Sequence, residues 1–155
     1  MDSTSSFSDL DKPRSNCAIT GVYGNSDAAK LVYLSLYALQ HRGQESSGIA
    51  SSDGEALHRH TGMGLVTNVF SNEKTFANLP GKIAIGHNRY STTGSTMLPN
   101  AQPFLVHFKH GPIAVSHNGN FVNARTLRKK LEDEGSIFQT TSDTEIILHL
   151  MAKSQ

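Results

Sequence analysis

The sequence predicts an α+β fold with antiparallel sheets, and three observations carry that expectation. Apolar, β-compatible segments follow one another as hairpins across Asp53-Gly54 and across Lys109-His110-Gly111, rather than alternating with helices as βαβ units do. Segments of helical period stand apart from them, at 27–40, 124–134 and from 143 to about 153. The 155 residues contain no internal repeat or low-complexity tract, which suits one domain large enough to bury a core.

Taken in order, residues 17–23 read as a strand closed by Gly24-Asn25. Ser26 is placed to cap a helix over 27–40, with Asp27 favourable at its positive end. Leu31, Val32, Leu34, Leu36, Tyr37 and Leu39 cover more than one stripe of that helix and predict burial. Residues 41–48 then form a polar, glycine-bounded loop. Residues 49–52 and 55–60 pair across a two-residue type I′ turn at Asp53-Gly54. Residues 65–70 and 72–77 read as short helices, 82–87 as a strand, and 94–102 as a loop. Residues 103–108 and 112–116 form the second hairpin, ending at His117-Asn118-Gly119-Asn120. Asn123 caps a helix over 124–134, with Leu127 and Leu131 inward and Gly135 at C′. Ser142 and Glu145 form a capping box for the last helix.

Composition excludes several classes of function. Lys and Arg number 14 against 13 Asp and Glu, which argues against a nucleic-acid partner. A single cysteine excludes an intrachain disulfide and a zinc ribbon or iron–sulfur site built from this segment alone, and fits a reducing compartment. No apolar run approaches the roughly 20 residues needed to cross a bilayer, so no membrane partner is expected. Residues 1–16 read as a leader. They carry Asp2, Asp9 and Asp11 and no apolar stretch, unlike a secretory signal or a mitochondrial transit peptide. A cytoplasmic location follows.

The chemistry-bearing residues stand where predicted strands and helices end. Cys17 lies at the junction of leader and domain. Cleavage before it would put thiol and base in one residue, because a free α-amine, with a pKa of about 7.7–8.0, can take the thiol proton. The alternative is a small apolar residue opening a strand. Arg89 offers a fork for a carboxylate, or else a surface ion pair. Asp143 offers a partner for an ammonium group, or else a helix N-terminal charge. Asn118-Gly119 offers a side-chain amide and an unobstructed backbone N–H for an oxyanion, or else a hairpin turn. Histidines number eight and suggest metal ligation at His58 and His60 or at His87 and His117. No HExxH or Cys/His spacing occurs, so no metal site is expected.

Five runs occur in one order: residues 17–24; Leu39-Gln40-His41-Arg42-Gly43-Gln44-Glu45-Ser46-Ser47-Gly48; Gly86-His87-Asn88-Arg89-Tyr90-Ser91-Thr92; His117-Asn118-Gly119-Asn120; and Thr141-Ser142-Asp143-Thr144-Glu145. Together they closely resemble the N-terminal glutaminase domain of the amidophosphoribosyltransferases, which are class II glutamine amidotransferases. The resemblance runs from Cys17 to the end, so the expected division is a leader at 1–16 and a glutaminase domain at 17–155. It implies a four-layered αββα N-terminal-nucleophile sandwich. It implies Cys17 as nucleophile with its own amine as base, and Asn118 with Gly119 as oxyanion hole. Arg89 and Asp143 would hold the α-carboxylate and α-amino group of glutamine. Arg42 would lie close to the nucleophile and Tyr90 near the glutamine loop. The family usually has glycine where this chain has Ala18.

The function implied is hydrolysis of glutamine to glutamate and ammonia, delivered to phosphoribosyl diphosphate in the first committed step of purine synthesis. The rival readings are a non-catalytic glutamine-binding fragment or regulator and another class II amidotransferase. The resemblance implies no cofactor in this segment. Mg2+ and an iron–sulfur cluster are candidates for the phosphoribosyltransferase domain that follows in the family, and the full-length enzyme is expected to be a homo-oligomer.

The last predicted helix carries Ile146, Ile147, Leu148, Leu150 and Met151, which cover most of its circumference. Only Ser154 and Gln155 follow, so the chain as given is expected to be an incomplete unit, truncated at the C-terminus. Each exposed large aliphatic forfeits roughly 1.5–3 kcal/mol. The isolated chain is therefore expected to self-associate or bind a hydrophobic dye and to show weak glutaminase activity at most. A soluble monomer with cooperative melting and brisk turnover would contradict this.

Overall fold

The computed structural model describes residues 17–90 and 96–154. The expected leader with its Asn16–Cys17 bond lies outside the described residues, as do Ser91 and Thr92.

Four strands, β1 (Ala18–Tyr23), β2 (Ser46–Ser52), β3 (Leu57–Met63) and β4 (Ile83–Arg89), form one antiparallel sheet in the order β1-β4-β2-β3. Two more, β5 (Phe104–Phe108) and β6 (Gly111–Val115), form an antiparallel hairpin. The register pairs Ile49 with both Gly86 and His60, and paired residues share a face. On that face lies helix α1 (Ala28–Ala38), with the short helices α2 (Val66–Val69) and α3 (Lys74–Ala77) beside it. Val32, Leu36, Ile49, Val66, Phe70 and Ala84 make the core there. Full burial of a side chain such as Leu36 stabilises the fold by about 1.5–3 kcal/mol.

The opposite face carries Gly48, His87 and Thr61 in one register row and Ser46, Arg89 and Met63 in the next. It looks toward the β5–β6 layer. Arg59 Nη1 donates to the Pro103 carbonyl (3.4 Å), and His87 Nε2 donates to the His117 carbonyl (3.2 Å). Helix α5 (Thr144–Lys153) packs on β5, and α4 (Ala124–Asp133) on α5. The layers therefore run helix, four-stranded sheet, two-stranded sheet, helix, as the family resemblance implies. No described helix is long and apolar enough to cross a membrane.

Several local expectations are corrected. Helix α1 buries one stripe, not several: Val32 and Leu36 are inside while Leu34 and Tyr37 are exposed, because a helix laid on a sheet meets it along one face. Its N-cap is Asp27 rather than Ser26, and Asn25 Oδ1 accepts the Asp27 N–H at 2.8 Å. Ser46, Ser47 and Gly48 belong to β2, where small residues fit a central strand covered on both sides. The β2–β3 connection spans four residues, not two. Asp53 Oδ1 accepts the N–H groups of Glu55 (2.9 Å) and Ala56 (2.8 Å), an Asx turn that replaces the type I′ geometry.

Residues 98–100, expected as loop, form a 3-10 turn. Helix α4 ends as expected: Gly135 N–H donates to the Glu132 carbonyl and Ser136 N–H to the Leu131 carbonyl, the paired bonds of a Schellman motif. The capping box is only half formed. Ser142 Oγ accepts the Thr144 N–H (3.3 Å). Buried Glu145 instead turns to the N–H groups of Gln139 and Thr140 and the Thr140 hydroxyl, three donors that satisfy a desolvated carboxylate. On α5, Ile146 and Leu148 are buried while Leu150 and Met151 are exposed.

At Gly48 the chain leaves no room for a side chain. A Cβ there would lie 2.3 Å from the Gln102 carbonyl oxygen and 2.6 Å from Thr61 Cγ2. The first neighbour is backbone and cannot rotate away. Gly48→Ala is expected to lower unfolding stability by about 1–3 kcal/mol, read as a fall in the urea midpoint. An unchanged midpoint would contradict this packing.

Candidate active site

Strand β4 organises the candidate residues. Because its side chains alternate, His87 and Arg89 project toward the β5–β6 layer, while Asn88 projects toward α1 and donates through Nδ2 to the Leu36 carbonyl at 2.8 Å. Cys17 sits just before β1, the neighbour of β4, and on the face of Ile19, which pairs with His87. Its thiol donates to the Tyr90 carbonyl and its sulfur accepts the Tyr90 N–H, each at 3.4 Å. Arg42 Nε donates to the Cys17 carbonyl at 3.4 Å. The structure thus gathers Cys17, Arg42 and Tyr90 at the end of the β1–β4 pair. Tyr90 makes its contact to sulfur through its backbone.

Arg89 is almost fully buried and pairs through Nη1 with Glu45 Oε1. The Glu45 N–H also donates to the Arg89 carbonyl at 3.0 Å. Glu45 therefore orients the guanidinium, whose fork presents its donors in fixed directions. An exposed surface ion pair is not what Arg89 makes.

A second group forms on the same face of β4, at His87. Asn118 and Gly119 are exposed and lie in irregular backbone after β6, away from the β5–β6 turn. His117 is held before them at three atoms. Its N–H donates to Gln102 Oε1 (2.7 Å), its carbonyl accepts from His87 Nε2 (3.2 Å), and its Nδ1 lies 3.4 Å from Thr144 Oγ1. The ring covers Gly119, where a Cβ would fall 2.8 Å from His117 Nε2, so glycine is what fits. Asp143, 8% exposed, is the N-cap of α5. Its Oδ2 accepts the Phe121 N–H at 2.9 Å, and its Oδ1 is 4.0 Å from His117 Nδ1.

Sequence reasoning assigned no role to Glu45, Gln102 or Thr144, and considered His87 and His117 only as metal ligands. The signal for Glu45 was an acid just ahead of a strand that pairs with Arg89's strand. No comparable local signal marked Gln102, whose partners are 15 and 42 residues away. His58 bonds Asp53 (2.8 Å) and His60 bonds the Val69 carbonyl (3.0 Å). Among the described residues, no group of three or more His, Cys, Asp or Glu is placed to hold a metal.

Residues 87–155 match the family described as glutamine amidotransferase domain. The chain is 54% identical over 150 residues to the chloroplastic amidophosphoribosyltransferase of Vigna aconitifolia, covering 97% of this chain and 31% of that protein. It is 48% identical over 137 residues to an amidophosphoribosyltransferase of Lacticaseibacillus casei, covering 88% of this chain and 71% of that one. The solved structure of glutamine phosphoribosylpyrophosphate amidotransferase from B. subtilis, complexed with ADP and GMP, matches with a TM-score of 0.81 at 47% identity. That match covers 88% of this chain and 29% of the other. A structure described as the allosteric regulatory enzyme of purine biosynthesis matches with a TM-score of 0.83, at the same identity and coverage. The chain thus spans about a third of the length of the Vigna relative, at 31%.

His87 generates a pH dependence. Its burial, with smaller contributions from the charges of Arg89 and His117, pushes its pKa down to about 4 from 6.5, against the opposing bond to the His117 carbonyl. Nδ1 is buried with no hydrogen-bond partner, so the neutral ring carries its proton on Nε2. The unfolded chain binds a proton below about pH 6.5 that the folded chain refuses until about pH 4, so stability rises with pH across that window. The difference amounts to about 3 kcal/mol in all. His87→Gln, which keeps a donor for the His117 carbonyl, is expected to lose less stability than the wild type between pH 7 and pH 4.5 in urea titrations. Identical losses would contradict the buried neutral imidazole.

Proposed function

The chain belongs to the amidophosphoribosyltransferase family, and from that premise we propose that it is the glutaminase part of such an enzyme. It releases ammonia from glutamine for transfer to phosphoribosyl diphosphate, forming phosphoribosylamine in the first committed step of de novo purine synthesis. The transfer half and its substrate belong to a phosphoribosyltransferase domain that the family carries beyond this segment. The whole enzyme is proposed to be a homo-oligomer of the cytoplasm. The Vigna relative is described as chloroplastic.

The observation that carries the reading is the layout along β4. Cys17 contacts Tyr90 at its end, Arg89 sits one residue before, and His87 reaches the turn leading to Asn118. In the proposed mechanism the bond before Cys17 is cut, freeing an α-amine that takes the thiol proton. The thiolate attacks the glutamine carboxamide carbon, and the oxyanion accepts hydrogen bonds from Asn118 Nδ2 and the Gly119 N–H. Ammonia leaves with the proton, water attacks the glutamyl thioester, and glutamate departs. Arg89, held by Glu45, grips the α-carboxylate, and Asp143 the α-ammonium. Arg42 steadies Cys17 through its carbonyl. Every group is supplied by the chain, and no step is routed through a cofactor.

Two measurements test this. Glutamate release from glutamine should be lost in Cys17→Ser, and Asn118→Gly should lower kcat by about 10²–10³. A normal kcat in the Asn118 variant would remove it from the oxyanion role. Intact mass of the active protein should begin at Cys17, and full activity with residues 1–16 attached would refute the amine as base.

A further inference from the structure

We infer that Gln102 is a positioning residue that ties the oxyanion turn to the start of α5, and so sets Asn118 and Gly119 against Asp143. The inference rests on the site reading above. Asn118 and Gly119 are exposed and stand in irregular backbone, so nothing in a strand ladder fixes them. Their place depends on His117 just before them. Oxyanion donors are effective only when held before the charge develops.

Gln102 is buried, at 4% exposure, and its carboxamide spans the two elements. Oε1 accepts the His117 N–H at 2.7 Å, and Nε2 donates to Thr144 Oγ1 at 3.0 Å. The Thr144 hydroxyl also lies 3.4 Å from His117 Nδ1, within hydrogen-bond reach. Gln102, Thr144 and His117 thus close a ring of hydrogen bonds. Thr144 follows Asp143 directly, so the ring holds the ammonium-binding carboxylate and the oxyanion turn in one frame.

The Gln102 backbone is itself anchored, since its carbonyl lies against Gly48 in the middle of the four-stranded sheet. Two residues earlier, fully buried Asn100 makes a parallel tie. Its Nδ2 donates to Thr141 Oγ1 (2.8 Å), and its Oδ1 accepts the Thr141 N–H (3.0 Å). The segment from 100 to 102 is therefore a brace between the sheet, the turn and the helix. Buried amide networks satisfied in this way specify one geometry.

The test compares wild type, Gln102→Met and Thr144→Val for glutamine hydrolysis, for melting, and for alkylation of Cys17 by iodoacetamide, which needs the thiol but not the oxyanion turn. Gln102→Met keeps the side-chain length and removes both bonds. It is expected to lower kcat/KM by about 10²-fold, the scale of a misplacement near 1 Å, with kcat falling and KM rising while alkylation stays at the wild-type rate. Wild-type kcat and KM would overturn the inference. So would a loss of hydrolysis matched by an equal loss of alkylation, because that is a folding defect. If Gln102→Met does not melt cooperatively, Thr144→Val carries the test, expected to raise KM with melting and alkylation intact. Wild-type kinetics in that variant would overturn the inference. Measured in the full-length enzyme, a wild type that hydrolyses no glutamine refutes the site reading itself, whereas an active wild type with indifferent variants refutes only the brace.

Discussion

The antiparallel register of β4 between β1 and β2 is the constraint on which the rest depends. Side chains alternate along a strand, so a slip of one residue would send His87 and Arg89 into the α1 core and Asn88 toward the second sheet. Asn88 prevents that slip chemically. Fully buried, it accepts from Ser47 Oγ at 2.9 Å and donates to the Leu36 carbonyl at the end of α1. Both bonds exist in one register only, and losing them would leave the buried Asn88 amide without these partners. The register in turn fixes which side chains look into the space between the sheets.

What looks inward is polar and closely paired. Arg89 and Glu45 form a buried ion pair whose side chains are 4% and 11% exposed. Such pairs add little net stability because both ions leave water, though removing one partner costs about 3–5 kcal/mol. Orientation is what the pair supplies. Two residues along, His87 stays neutral, and a proton there would add a positive charge beside Arg89. Arg89 and the neutral ring divide the labour proposed for the site: one faces substrate, the other holds the His117 turn.

The sequence made the element order and the antiparallel class legible because both follow from short-range signals. Gly135 ends α4 with the bonds its place predicted, and the second hairpin forms as expected, though Lys109-His110 alone turns it and Gly111 opens β6. Misreadings arose where tertiary packing overrode local pattern. Ser46 and Ser47 look like loop residues, yet a central strand squeezed from both sides requires their small volume. Glu145 looks like a cap, yet once buried it turns to the N–H groups of Gln139 and Thr140 and the Thr140 hydroxyl. The apolar face of α1 with Leu34 and Tyr37 was read as buried, because helical period reports apolar positions and not what covers them. At the candidate site, Cys17, Arg89 and Asp143 were singled out by residue type at element ends. Gln102 and Thr144 escaped because their meaning lies in long-range hydrogen bonds.

The most direct test of the β4-centred site is a crystal structure of the protein after reaction with a diazo ketone analogue of glutamine. The geometry described predicts a covalent bond to the Cys17 sulfur. The analogue's carboxylate should lie on Arg89 and its ammonium group on Asp143, with the ketone-derived oxygen about 3 Å from Asn118 Nδ2 and the Gly119 N–H. An adduct on Cys17 whose amino-acid end points away from Arg89 and Asp143, or an adduct on another residue, would contradict it.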